Sequence, residues 1–115
     1  IVDLIHKADK TYFQNNNITI AVNSPPVSYI TNNPSVSIPK NLTNKNIDNF
    51  ISLYNIDYFL IASAHNQGSL EASEVLSALM SNGYKDDKIL NSHLNYIDKI
   101  SHKEGYWIKL YKVKN

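Results

Sequence analysis

The 115-residue chain has no cysteine, no arginine, three glycines, and a single methionine and tryptophan. Without cysteine there is no disulfide framework, no thiolate nucleophile and no cysteine-ligated zinc. Without arginine there is no planar guanidinium fork, the group best suited to bidentate phosphate recognition. Eleven lysines against ten acidic residues leave a formal charge of +1. That balance gives no electrostatic reason to expect nucleic acid or an acidic partner. No run approaches the roughly 18 apolar residues of a membrane span; the longest is Tyr58 to Ala62. No basic-then-apolar signal peptide is visible.

The residues present describe a folded globule, 43% apolar and 10% aromatic. The length predicts a single domain over residues 1–115, able to bury roughly two-thirds of its unfolded surface. Sixteen asparagines read as the coding bias of an AT-rich sequence. The chain opens on Ile1, which suggests a processed start or a segment of a longer protein, with any membrane part outside it.

Residues 1–14 predict an amphipathic helix with Ile1, Leu4, Ile5, Ala8 and Tyr12 on one face, stopped by Asn15, Asn16 and Asn17. Ile18 to Val22 predicts a strand. Ser24 and Pro25 then suit the first turn of a short helix over about 25–31. Val36 to Ile38 predicts a minimal strand closed by Pro39. Asn44 caps a predicted helix to about Asn55, with Ile47, Phe50, Ile51 and Tyr54 inward. Asp57 to Ser63 predicts a strand buried on both faces, as at the centre of a parallel sheet. Gly68 and Ser69 open a helix with Glu71 and Glu74 near its positive end and Ala72, Val75, Leu76 and Leu79 inward, ended by Asn82 and Gly83. His93 to Ser101 and Tyr106 to Val113 predict an antiparallel hairpin turning at Gly105. The alternation predicts an α/β fold: a small Rossmann-like three-layer sandwich, its sheet mostly parallel, with a C-terminal antiparallel β-hairpin at the edge.

One combination of residues is more specific. A strand ending in Asn23, Ser24, Pro25, Pro26 is followed by Tyr29, Ile30, Thr31 and a short strand ending Ile38, Pro39. After a helix come Asn55, Ile56, Asp57, Tyr58, Phe59, Leu60, Ile61, and the chain closes on Tyr106, Trp107, Ile108, Lys109, Leu110, Tyr111. Over about residues 8–113 this resembles the soluble C-terminal domain of membrane-embedded, mannosyltransferase-like glycosyltransferases that use lipid-phosphate sugars. The resemblance implies an extracytoplasmic domain attached to a transmembrane portion, with glycan or a lipid-linked sugar acceptor as its partner. Many members carry an aromatic pair followed by Gly and Arg after the Pro-containing helix. Here that stretch is Tyr29, Ile30, Thr31, Asn32, Asn33, and its role does not carry over. The family's acidic catalytic residues belong to the membrane portion, so no catalytic residue is assigned.

Two places remain for binding. Ser63, Ala64, His65, Asn66, Gln67, Gly68 and Ser69 lie between a strand's C-terminal end and a helix N-terminus, where open α/β sheets bind ligands and free N–H groups hold anions. The stretch reads either as an ordinary polar loop with Ser69 as N-cap or as a site in which Ser63, His65, Asn66, Gly68 and Ser69 take a polar or anionic small ligand. Neither a G-x-G-x-x-G fingerprint nor a P-loop is present. A nucleophile pair of His65 with Ser63 or Ser69 lacks an orienting carboxylate, Asp57 being roughly 20 Å away along the strand. Trp107 and Tyr111 alternate onto one face of the last strand, either packing on a helix or forming an aromatic surface for sugar rings. Lys109, Lys112 and Lys114 read as solvated lysines of an edge strand. The four histidines are scattered, which predicts no metal site, and no cofactor motif appears. Sequons stand at Asn17 (Asn17, Ile18, Thr19) and Asn41 (Asn41, Leu42, Thr43).

Together these readings predict a non-catalytic extracytoplasmic domain of a glycosyltransferase-like membrane protein that contacts acceptor or glycan and does not bind nucleic acid. The alternative is an independent α/β module with its ligand at the 63–69 loop.

Overall fold

The computed structural model describes residues 1–14, 17–23, 27–63, 73–81 and 88–114. Helix α1 (Val2–Ala8) passes directly into a π-helical turn over Asp9–Phe13. The wider i→i+5 winding carries Phe13 onto the buried face that holds Leu4, Ile5 and Ala8. There it meets Tyr58 edge-on, ring centroids 5.0 Å apart. Tyr12 is left to reach sideways, and its hydroxyl donates to Asp98 Oδ2 at 2.6 Å. Asn17, at φ 66°, takes the left-handed turn that asparagine tolerates.

The remaining elements are β1 (Ile20–Val22), α2 (Val27–Thr31), β2 (Ser35–Ser37), α3 (Ile47–Tyr54), β3 (Tyr58–Ala62), α4 (Glu74–Met80), α5 (Lys88–His93), β4 (Leu94–Ser101) and β5 (Trp107–Val113). Helix α3 starts later than Asn44 would set it. Residues 44–46 form a turn, and Asn46 instead accepts the Thr43 N–H at 2.7 Å. Its apolar stripe also ends early: Ile47 and Phe50 are buried, whereas Tyr54 is exposed. Helix α4 is capped by Ser73, whose Oγ accepts the Leu76 N–H at 2.9 Å. Of its predicted stripe, Val75 and Leu79 are inward and Leu76 partly so, while Ala72 lies outside the described residues.

The five strands form one sheet in the order β2-β1-β3-β5-β4. The expected mostly parallel, Rossmann-like sandwich is not what the chain forms. Only β2, β1 and β3 run parallel, over three residues at each pairing. Strand β3 pairs antiparallel with β5 over five residues, and β5 with β4 over seven, so antiparallel pairing predominates by length. The hairpin itself forms as predicted. It occupies one edge of the sheet, with β4 outermost and β5 joined to β3, so the central strand has one parallel and one antiparallel neighbour. Residue periodicity marks a strand and its burial but carries no information on which strand it joins or in which direction.

Helices nevertheless cover both faces, for a topological reason. The β1-to-β2 and β2-to-β3 crossovers move in opposite directions across the sheet, and a common hand then puts their helices on opposite sides. Accordingly Val27 of α2 lies with α1 among Ile20, Val22, Leu60, Ala62, Ile108 and Leu110. On the other face Ile47 and Phe50 of α3 and Val75 and Leu79 of α4 lie among Ala21, Phe59, Ile61 and Tyr111. Strand β3 supplies both cores, which explains its unbroken apolar run.

The hairpin turn is a three-residue loop with Gly105 at φ 102°. His102 N donates to Tyr106 O at 2.8 Å and Gly105 N to His102 O at 2.9 Å. The His102 and Tyr106 rings stack at 4.4 Å across its base. Between Tyr96 and Asp98 the register of β4 shifts by a bulge, which turns Asp98 toward Tyr12.

Candidate functional site

Polar groups converge at the end of the sheet where β1 and β3 finish and β5 begins. Asn23, the residue after β1, places its side chain against β3. Its Nδ2 donates to Ala62 O at 2.9 Å and its Oδ1 accepts the Ala62 N–H at 2.7 Å. The carboxamide thus stands in for one more residue of backbone pairing. Ser63 does the same toward β5: its N–H donates to Trp107 O at 2.8 Å and its Oγ accepts the Trp107 N–H at 2.9 Å. At the opposite end Asp57 Oδ2 accepts the Thr19 N–H at 2.9 Å. Sequence reading missed Asn23 and Asp57 in these roles. Their only trace is a polar residue directly flanking a buried strand.

Of the loop expected to bind a small ligand, Ser63 alone lies among the described residues, and its hydroxyl is committed to Trp107. His65, Asn66, Gly68 and Ser69 lie outside the described residues. Ser69 is not the cap seen for α4; that residue is Ser73.

Trp107 and Tyr111 occupy the same face of β5 but different environments. Tyr111 is 1% exposed, and its hydroxyl donates to Leu79 O at 2.8 Å. It belongs to the core, not to an aromatic surface. Trp107 is only partly buried. The ammonium groups of Lys99 and Lys109 stand 5.3 and 4.8 Å from its ring centroid, within cation–π range.

Lys109 corrects another expectation. In place of the solvated edge lysine expected there, β5 is an interior strand and Lys109 is 2% exposed. Its Nζ donates to the carbonyls of Leu79, Met80 and Ser81 at 3.4, 3.2 and 3.2 Å. A cation at the last turn of α4 satisfies carbonyls that the helix itself leaves unpaired and complements its dipole. Lys112 and Lys114 are exposed, as expected.

At this end the hairpin turn also holds His102 Nδ1 3.8 Å from Glu104 Oε2, and burial first, then Glu104, raises the Tyr106 phenol; other titratable pairs lie elsewhere. Tyr12 donates to Asp98, and that hydrogen bond, with burial and the carboxylate charge, raises the Tyr12 phenol above its ordinary value. Burial first, then Asp98, raises Tyr96. His93 Nδ1 lies 2.8 Å from Asp48 Oδ1. Among the described residues, no three His, Asp or Glu side chains gather as metal ligands. No described helix is long and apolar enough to cross a membrane.

The rim is therefore an amphipathic indole held by backbone pairing to Ser63, with an exposed ammonium, Lys99, beside it. Such a surface can pack against the apolar face of a ligand and hydrogen-bond its polar edge. No protein-family model matches the chain, and no curated protein or solved structure matches it significantly.

Proposed function

We propose that the chain is a non-catalytic, extracytoplasmic domain of an integral-membrane glycosyltransferase-like protein, contacting acceptor or glycan at the rim around Trp107. The observation that carries this reading is the division of labour at the sheet end. Asn23 and Ser63 spend their polar groups on holding strands together, whereas Trp107 keeps part of its indole open beside Lys99. This is an arrangement for contact with the face of a ligand. The parent and its membrane portion follow from the resemblance of residues 8–113.

Two measurements test the proposal. Trp107 is the only tryptophan, so its fluorescence reports directly on the rim. Titration with soluble mannose oligosaccharides should shift it, and Lys99→Ala should weaken the response; an unshifted spectrum at saturating sugar refutes the contact role. The reading frame upstream of Ile1 should encode several apolar spans of about 20 residues; an initiator Met directly before Ile1 refutes the membrane parent.

The second reading, an independent module for a polar or anionic small ligand, is favoured by the anchoring of residue 63, which fixes one end of the 63–69 loop to β5. Replacement of Gly68 and Ser69 should then abolish thermal stabilisation by inorganic phosphate, and an unchanged shift refutes that site.

A further inference from the structure

The chain has three asparagines at N-x-S/T spacing, and the structure separates them. In Asn33, Pro34, Ser35 the middle proline disqualifies the sequon. Its asparagine is also the inaccessible one, 2% exposed with Nδ2 donating to Thr31 O at 3.1 Å. Asn17 and Asn41 are both exposed. Unlike Asn23, Asn33 and Asn46, whose carboxamides are spent on backbone groups, these two make no side-chain hydrogen bond among the described residues. The middle residue of each sequon is the anchor. Leu42 is buried in the core beneath α3, and Ile18 packs against the core beneath α1. Pinning the apolar residue inward leaves the preceding carboxamide facing solvent.

We propose that Asn17 and Asn41 are N-glycan acceptors. Asn17 precedes β1 and Asn41 follows β2, so the parallel pairing puts the two glycans at opposite ends of the sheet. The donor class is a lipid-pyrophosphate-linked oligosaccharide. Asparagine Nδ2 forms a bond to C1 of the first sugar as the C1–O bond to phosphate breaks. The amide gives up one proton, and the lipid pyrophosphate leaves with the bonding electron pair. The inference rests on the extracytoplasmic placement proposed above, because the transfer takes place on that side of a membrane.

Acceptor competence and placement are separated by two arms. In the first, the full chain is directed by a cleavable signal into a secretory pathway that performs this transfer, and intact mass is read before and after enzymatic deglycosylation. Two glycans are expected; Asn17→Gln and Asn41→Gln should each remove one, Asn41→Gln with an unchanged thermal midpoint and Asn17→Gln with a lowered one because glutamine tolerates φ 66° less well, and the double variant should carry none. A directed chain that stays unmodified at either asparagine overturns that site and leaves the placement standing. In the second arm, peptides from the native protein are examined at the same asparagines. Glycan there supports both inferences. Native peptides without glycan, beside a directed chain that carries it, overturn the placement and not the acceptor geometry.

Discussion

The two halves of the sheet are held together in different ways. On the parallel side β1 has three residues, pairs with both neighbours over those three, and is extended by side chains. Asp57 continues its ladder at one end and Asn23 at the other. On the antiparallel side β4 and β5 pair over seven residues through their own backbones, joined by a three-residue turn. Contacts close in sequence form without a large loop-closure cost, whereas the parallel strands meet only after long excursions through helices. The difference teaches that a short parallel strand needs polar residues at its ends, and that a hairpin needs only its turn. Strand β3 joins the halves, and its side chains fill both cores.

The comparison can be broken most severely at that junction. Phe59→Ala, at a fully buried ring packed on Phe50, should cost about 3–5 kcal/mol and lower the urea midpoint for both halves together. A loss under about 1 kcal/mol would show that the two halves do not share a core.

Removing the clamps should divide the halves. Asp57→Ala and Asn23→Ala should each cost about 1–2 kcal/mol, because part-buried backbone groups are left without partners. Hydrogen exchange should accelerate at Ile20 to Val22 while amides of β4 and β5 keep their protection. Uniform acceleration across the sheet would contradict the difference drawn between the halves.

The hairpin's own weak point is its turn. A Cβ added at Gly105 would meet nothing within 4 Å, so the cost of Gly105→Ala comes from φ 102° alone and should be about 1 kcal/mol. Its effect should concentrate in β4 and β5, and a neutral substitution would show that the turn does not limit the hairpin.

The smallest effect concerns Tyr12, which ties α1's π-helical extension to the bulge of β4. Its folded-state value is raised above the ordinary 10.0, first by the hydrogen bond to Asp98. The folded protein therefore holds this proton more tightly than the unfolded chain. The contribution is fully present below about pH 10 and declines as pH rises through the folded value. Tyr12→Phe should flatten the fall in stability above that pH and leave the pH dependence near neutrality unchanged; an equal alkaline slope in both proteins would refute the linkage.

Legibility followed the physics of each element. The inward faces of α1 and α4, the double burial of β3 and the hairpin with Gly105 at its turn are local patterns, and all were readable. The N-terminal boundary of α3 was not, because Asn44 and Asn46 offer rival turn geometries within three residues and only packing selects one. At the site, the helix-packing alternative holds for Tyr111, whereas Lys109 departs from its expected solvated place. That departure follows from β5 being interior, since one face of the strand is then covered.

What the amino-acid order determined alone was most of the elements and their apolar faces, though not α5 or the π-helical turn, since helix and strand periods are properties of neighbouring residues. It also set the polar residues at the ends of β1 and β3, without disclosing their partners. The neighbours of each strand were decided only in three dimensions. Placing β5 beside β3 converts a mostly parallel expectation into a mixed sheet, buries a lysine on the carbonyls of α4 and moves Tyr111 into the core. Such pairings depend on surfaces far apart in the chain, and their free energy exists only when those surfaces meet.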